Sequence, residues 1–127
     1  MIIIDGVSVV IEKAGKYLMI QRAKEVPLPL KWTCVGGKIE AGETPELTAI
    51  REVREEVGLE IEIIEQLAML KGDIVEKLYF LLAKWKDGEV EMEKKEIRDF
   101  GWLNPEDVLR LELLPATRKF FEEYLKH

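Results

Sequence analysis

Residues 37–59 read GKIEAGETPELTAIREVREEVGL, and the fold is decided in this stretch. Thr44 can cap a helix through its side-chain oxygen, and Pro45 suits the first helical position, where a missing N–H costs nothing. Gly58 fits a left-handed stop, so a helix is expected over 45–57. Leu47, Ile50, Val53, Arg54 and Val57 recur at spacings of three and four, and their apolar members are expected to form the buried stripe. Glu52, Glu55 and Glu56 share that spacing, which stacks three carboxylates on one side of the helix.

On the N-terminal side, the Ile- and Val-rich run 2–12 and the run 17–21 read as two strands joined by the turn Lys13-Ala14-Gly15-Lys16. Pro27 and Pro29 remove backbone donors and mark 24–30 as a surface loop, followed by a short strand at 32–35 and a glycine pair. Beyond the helix, 59–70 and 74–85 read as strands, 86–96 as a charged loop and 100–103 as a last short strand. Helices are expected over 105–111, with Asn104 as cap, and over 116–126. The order β-β-β-α-β-β-β-α specifies an α+β fold, a mixed sheet with helices, and a length of 127 residues fits one domain spanning 1–127.

Composition narrows the chemistry. With 19 Lys and Arg against 25 Asp and Glu, the net charge is −6, which argues against a nucleic-acid polymer as partner. No long uncharged apolar run suggests a membrane span, and Cys34, the one cysteine, has no internal partner for a disulfide; a soluble, cytoplasmic protein is expected. The one histidine is His127, the last residue, so histidine triads and histidine-held zinc are all but excluded and any chemistry falls to carboxylates.

Stacked like charges repel, so Glu52, Glu55 and Glu56 make more sense with a positive charge between them. Carboxylate oxygens suit hard divalent cations such as Mg2+ or Mn2+. Taken as residue types alone, the trio also fits an ordinary exposed helix face, because glutamate is a good helix former and this chain has twenty.

The segment around the trio adds a pattern: Gly37, five residues, Glu43, seven residues, Arg51-Glu52-Val53, one residue, Glu55-Glu56, one residue, Gly58-Leu59. It resembles the signature of the Nudix hydrolases at each of nine specified positions over 23 residues. The resemblance implies a Nudix fold, in which a mixed β-sheet is sandwiched between α-helices, and a MutT-like enzyme that hydrolyses a nucleoside diphosphate linked to another group with the help of Mg2+, or Mn2+ in its place. By the same resemblance, Glu52, Glu55, Glu56 and the Gly36 carbonyl would be metal ligands, and Glu52 or Glu56 would also activate water. Arg51 would orient the catalytic glutamates and pair with Glu43, while Gly37, Glu43 and Gly58 would shape the motif. Glu96, chosen from a loop that also holds Glu89, Glu91 and Glu93, matches the extra metal-linked glutamate and general base of MutT-type members.

Arg22 and Lys38 are the candidate phosphate contacts, since guanidinium and ammonium groups both bind phosphate. Trp32, Tyr79 and Phe80 are candidates for stacking on a base, although strand aromatics more often belong to the core. Cys34 is expected to be a small buried hydrophobe, and Val35 stands where many relatives have proline. MutT-type proteins that read 8-oxoguanine carry asparagine where Thr117 falls, so that specificity is not expected. Hydrolysis of a nucleoside triphosphate to monophosphate and pyrophosphate ranks first; ADP-ribose or another nucleotide sugar ranks second, and a non-catalytic nucleotide sensor is the reading from a different class. Homodimers are common in the family and a homodimer is the candidate assembly.

Overall fold

A computed structural model describes residues 3–125. Seven strands form one sheet: β1 (Gly6–Lys13), β2 (Lys16–Arg22), β3 (Trp32–Thr33), β4 (Val35–Lys38), β5 (Glu60–Lys71), β6 (Lys77–Asp87) and β7 (Ile97–Leu103). Three helices accompany them: α1 (Pro45–Val57), α2 (Pro105–Val108) and α3 (Pro115–Glu123).

Strand β1 organises the sheet. One edge runs parallel to β6 from Gly6 to Glu12. The other edge is divided, because Gly6–Val9 pair antiparallel with β4 whereas Glu12 and Lys13 pair with β2. Strand β2 continues to β7 and β3, and β5 closes the far side of β6. The sheet therefore parts between β4 and β2, and a cleft opens at the parting.

Alternation along β1 gives each face a core. Val7, Val9 and Ile11 join Ala49, Val53 and Val57 of α1 on one face; Val10 joins Tyr17, Met19, Phe80, Val108, Phe120 and Phe121 under α2 and α3 on the other. Helices thus lie on both faces of a mixed sheet, the layering expected for a Nudix fold.

Several expected boundaries move. β1 begins at Gly6; residues 3–5 are outside any strand, and Ile2, Lys126 and His127 lie outside the described residues. The glycine pair, expected beyond the strand at 32–35, is part of β4, since Gly36 and Gly37 pair with Ser8 and Val7. β6 starts at Lys77, and Ile74 to Glu76 turn the chain instead. β7 begins three residues early, at Ile97, and α2 stops at Val108. Leu47 is 55% exposed; the buried stripe of α1 is Thr48, Ala49, Val53 and Val57. Thr48 joins that stripe although its hydroxyl reads as polar in the sequence.

Candidate active site

Helix α1 starts as its sequence requires. Thr44 Oγ1 accepts from Leu47 N at 3.2 Å and Pro45 occupies the first turn. At the far end Gly58 turns left-handed, with φ of 69°, and donates to the Arg54 carbonyl at 3.1 Å. The carbonyls of Glu56 and Val57, exposed by the end of the helix, accept from Glu93 N at 2.8 Å and Glu91 N at 2.9 Å. The charged segment before β7 is therefore docked on α1, with Val90 and Met92 against the core, and is not simply a solvated loop.

Glu43, in the turn before α1, accepts four hydrogen bonds: from Glu40 N at 3.0 Å, Thr48 Oγ1 at 3.0 Å, Arg51 Nη2 at 2.9 Å and Arg51 Nε at 2.7 Å. The guanidinium beside it holds its carboxyl down at about 2. Arg51 also reaches Glu52 Oε1 at 2.8 Å, Glu55 Oε2 at 3.3 Å and the Lys38 carbonyl at 3.2 Å. One guanidinium thus ties the turn, β4 and the glutamate row together. Thr48 belongs to this network, and no sequence signal marked it.

The three glutamates are not equivalent. Glu55 is exposed, Glu52 lies under Arg51, and Glu56 is nearly enclosed. Burial raises the Glu52 carboxyl while Arg51 pulls it down. Glu56 is driven well above the carboxylate range by burial first, then by the charges of Glu52 and Glu96 and by contact with the Glu52 carboxyl; the Gly36 amide offsets this only in part. Two carboxyl groups in contact need a proton or a cation between them. Glu56 Oε2 is buried with no hydrogen-bond partner among the described residues. No three acidic, His or Cys side chains among the described residues already converge on one point at ligand spacing, because Arg51 draws Glu52 and Glu55 towards itself.

Gly37 supports this corner by having no side chain. A Cβ there would meet the Glu52 carboxylate, and one at Gly36 would meet the backbone of Val7 across the β4–β1 ladder. Both are close approaches; neither glycine is among those with positive φ.

The other expected residues reach the same cleft from different elements. An irregularity in the β2–β7 register falls between Gln21 and Arg22, the kind of feature that re-aims a side chain. Arg22 Nε donates to the Pro27 carbonyl at 2.8 Å, which fixes the guanidinium against the loop. Burial lowers its pKa, against which the charges of Glu96 and Glu56 act. Glu96 is held by its backbone, donating to the Glu93 carbonyl at 2.9 Å and accepting from Ala23 N at 3.0 Å. Arg22, Gly36, Gly37, Lys38, Arg51, Glu52, Glu55, Glu56 and Glu96 all line one cleft of about 980 Å3. Glu43 and Gly58 do not line it; they act on the elements beneath.

At its other end the cleft is lined by Ile20, Leu78, Leu114, Thr33 and Thr117. The two threonine hydroxyls, both buried, face each other at 2.7 Å. Cys34 is buried there, with its thiol pushed up to about 12 by burial and eased down by the Ser8 hydroxyl. Asp73 Oδ2 accepts from Ala116 N at 3.2 Å and so serves the start of α3. Trp32, Tyr79 and Phe80 are not in the cleft lining: Phe80 stacks on Phe120 at 4.3 Å, and the other two pack on the cores.

Comparison with known proteins agrees with this geometry. The sequence model of the NUDIX domain matches residues 4–124. A CTP pyrophosphohydrolase of Escherichia coli K12 is 30% identical over 124 residues, covering 96% of this chain and 91% of its own. Escherichia coli nucleoside triphosphatase NudI is 29% identical over 123 residues, covering 86% of this chain and 87% of its own. Among solved structures, a MutT NUDIX hydrolase from Burkholderia pseudomallei superimposes with a TM-score of 0.80 at 27% identity, covering 97% of this chain and 98% of that one. The chain belongs to the Nudix family, as a hydrolase acting on the phosphoric anhydride bonds of nucleotides.

Proposed function

We propose that the protein is a divalent-metal-dependent nucleoside triphosphate pyrophosphohydrolase that releases a nucleoside monophosphate and pyrophosphate. The observation that carries this reading is Glu56 Oε2, a buried acceptor with no partner, pressed against the Glu52 carboxyl. A hard cation fits that need, and the donors present are all oxygen: Glu52, Glu55, Glu56, Glu96 and the Gly36 carbonyl. Mg2+ is the proposed ion, with Mn2+ as its substitute. When bound, such an ion supplies neutralisation of phosphate oxygens and acidification of water.

The chain's own groups supply the rest. Arg22, anchored through Nε, offers its remaining donors to the phosphates, and the exposed Lys38 adds a positive charge to the cleft lining. Arg51 keeps Glu52 and Glu55 in place from behind, so it is a positioning residue in this scheme. Water attacks one of the two phosphorus atoms that flank the α,β-bridging oxygen, the bond from that phosphorus to the bridge breaks, and the departing phosphate group keeps the bridging oxygen and the bond's electron pair. Glu96 is the proposed acceptor of the water's proton, beside Glu56 and Arg22. The nature of the two Escherichia coli relatives supports a triphosphate over ADP-ribose. Since the Thr117 hydroxyl is engaged with Thr33, that position offers less than an amide to an oxidised guanine.

The test is hydrolysis with Mg2+ of a panel of NTPs, dNTPs, oxidised guanine nucleotides, ADP-ribose and dinucleoside polyphosphates, with products separated by chromatography. Monophosphate plus pyrophosphate from triphosphates is the expected result. AMP plus ribose phosphate from ADP-ribose as the preferred reaction would replace it with the nucleotide-sugar reading, and binding without cleavage would make the domain a sensor.

A further inference from the structure

The turn between β5 and β6 brings Asp73, Ile74 and Val75 to the cleft lining. Its base is tightly fitted. A Cβ on Gly72 would meet Val75 Cγ2 at 2.6 Å, and one on Gly6 would meet both Val75 methyls at 3.2 Å, so Val75 is wedged between two glycines. Glu76 N donates to the Ile4 carbonyl at 2.8 Å, and Lys77 N to Asp5 Oδ1 at 3.2 Å. The tip is different: Asp73 and Ile74 are exposed, Ile74 to 49%.

One hydrogen bond fastens that tip. An aspartate in a turn ordinarily bonds its own backbone just ahead, whereas Asp73 Oδ2 accepts from Ala116 N at 3.2 Å, 43 residues on. Ala116 is the second residue of α3, where an amide has no acceptor inside the helix. Leu114, in the capping position, has no side-chain oxygen to offer. Asp73 thus caps α3 from another element, and its carboxylate suits the positive end of the helix. Among the described residues this is the one hydrogen bond joining the 72–76 turn to α3. The helix has other holds, since Phe120 and Phe121 are buried in the core and Leu114 N donates to the Trp32 carbonyl at 3.0 Å. The bond therefore matters more to the turn than to the helix.

Leu114 and Thr117 belong to the end of the cleft away from the glutamates, and Asp73 and Ile74 line it from the opposite element. From a carboxylate that spans these two walls, we infer that Asp73 is a positioning residue for substrate binding: it latches the turn to α3 and sets how far Ile74 and Val75 stand from Leu114. The inference rests on the nucleotide reading of the same cleft and adds to it a residue that shapes the end where no phosphate sits.

Asp73→Ala breaks the latch, whereas Asp73→Asn keeps an oxygen that can accept from Ala116 N. With CTP as substrate, Asp73→Ala is expected to raise KM about fivefold and leave kcat within about twofold, because the wall acts on binding and not on the attack at phosphorus. Asp73→Asn is expected to stay within about twofold of wild type in both. Inhibition by inorganic tripolyphosphate, which does not reach that end, is expected to be equal in all three proteins. Hydrogen exchange at the Ala116 amide, followed by NMR without nucleotide, is expected to be about tenfold faster in Asp73→Ala. An unchanged KM in Asp73→Ala would overturn the inference even if the melting temperature falls, because Asp73 would then be a helix cap and nothing more. So would a KM for Asp73→Asn nearer to that of Asp73→Ala than to wild type, a parallel loss of tripolyphosphate affinity, or unchanged exchange at Ala116. If the wild-type chain cleaves no triphosphate, the proposed function has failed separately, and equilibrium binding of CTP and of ADP-ribose takes the place of KM. About fivefold weaker binding by Asp73→Ala then supports the inference, while equal affinity, or binding of neither nucleotide by wild type, overturns it.

Discussion

Arg51 and Arg54 stand three residues apart on α1 and make equally short ion pairs, yet they do different things. Arg54 forms a clean fork with Glu60, at 2.7 and 2.8 Å, with its side chain 58% exposed. Arg51 forms its own fork with Glu43 at 2.7 and 2.9 Å, is 24% exposed, and also holds Glu52, Glu55 and the Lys38 carbonyl. Distance does not separate the two. What separates them is what remains after removal: water replaces Arg54, whereas carboxylates already crowded around Glu56 would lose the one guanidinium that holds them.

The sharpest test of that difference removes charge on the Arg51 side. Glu56→Gln is expected to lower kcat on the order of 10³-fold while the chain stays folded. The same variant has a stability signature. Glu56 is held up to about 9 against an ordinary 4.5, so between those values the folded chain keeps a proton that the unfolded chain releases, and stability falls as pH rises. Melting temperatures measured with chelator from pH 5 to 9 should show this decline in wild type and a shallower one in Glu56→Gln. Retained turnover in the variant would remove Glu56 from the proposed mechanism.

Arg51→Lys comes next. Lysine keeps the charge but cannot serve Glu43 and Glu52 with a rigid fork, and a loss of roughly 10- to 100-fold in kcat/KM is expected from steady-state kinetics. Should Arg51→Lys match wild type, positive charge alone would suffice and the fork would be incidental. Glu43→Gln has a smaller, pH-dependent effect. Glu43 titrates at about 2 instead of 4.5, so its contribution to stability is present above 4.5 and is lost as pH falls towards 2. Acid unfolding followed by circular dichroism should therefore be less steep in the variant across that window. Arg54→Ala marks the lower bound: unchanged kcat/KM and a melting temperature lowered by at most about 4 °C. A loss of activity there would erase the distinction between the two arginines.

Much of this was legible in the chain. Thr44, Pro45 and Gly58 mark α1 to the residue because caps and stops are local chemistry. The fixed spacing from Gly37 to Leu59 specified which side chains share a corner, and Arg22, Lys38 and Glu96 do line the cleft with them. What stayed hidden depends on contacts made across the fold. Gly36 and Gly37 fall outside the strand expected at 32–35 because a glycine pair carries no strand propensity, and only pairing with β1 makes them a strand. The 86–96 segment reads as a charged loop because its glutamates dominate, yet the Glu91 and Glu93 amides are taken by the last carbonyls of α1. Thr48 is an ordinary residue until the neighbour that takes its hydroxyl, Glu43, is known.

Strand β4 is both a rung of the sheet and the floor beneath Glu52 and Glu56, and this limits how the chain can change in length. A residue added between Val35 and Lys38 would slip the β4–β1 register and turn every following side chain to the opposite face. Insertions are absorbed where no register is set, as in the loop at 24–30, which carries two left-handed leucines, Leu28 and Leu30, between its prolines and Lys31. New recognition segments can therefore grow over the cleft from the Pro27 side, while the spacing from Gly36 to the glutamates stays fixed by the ladder itself.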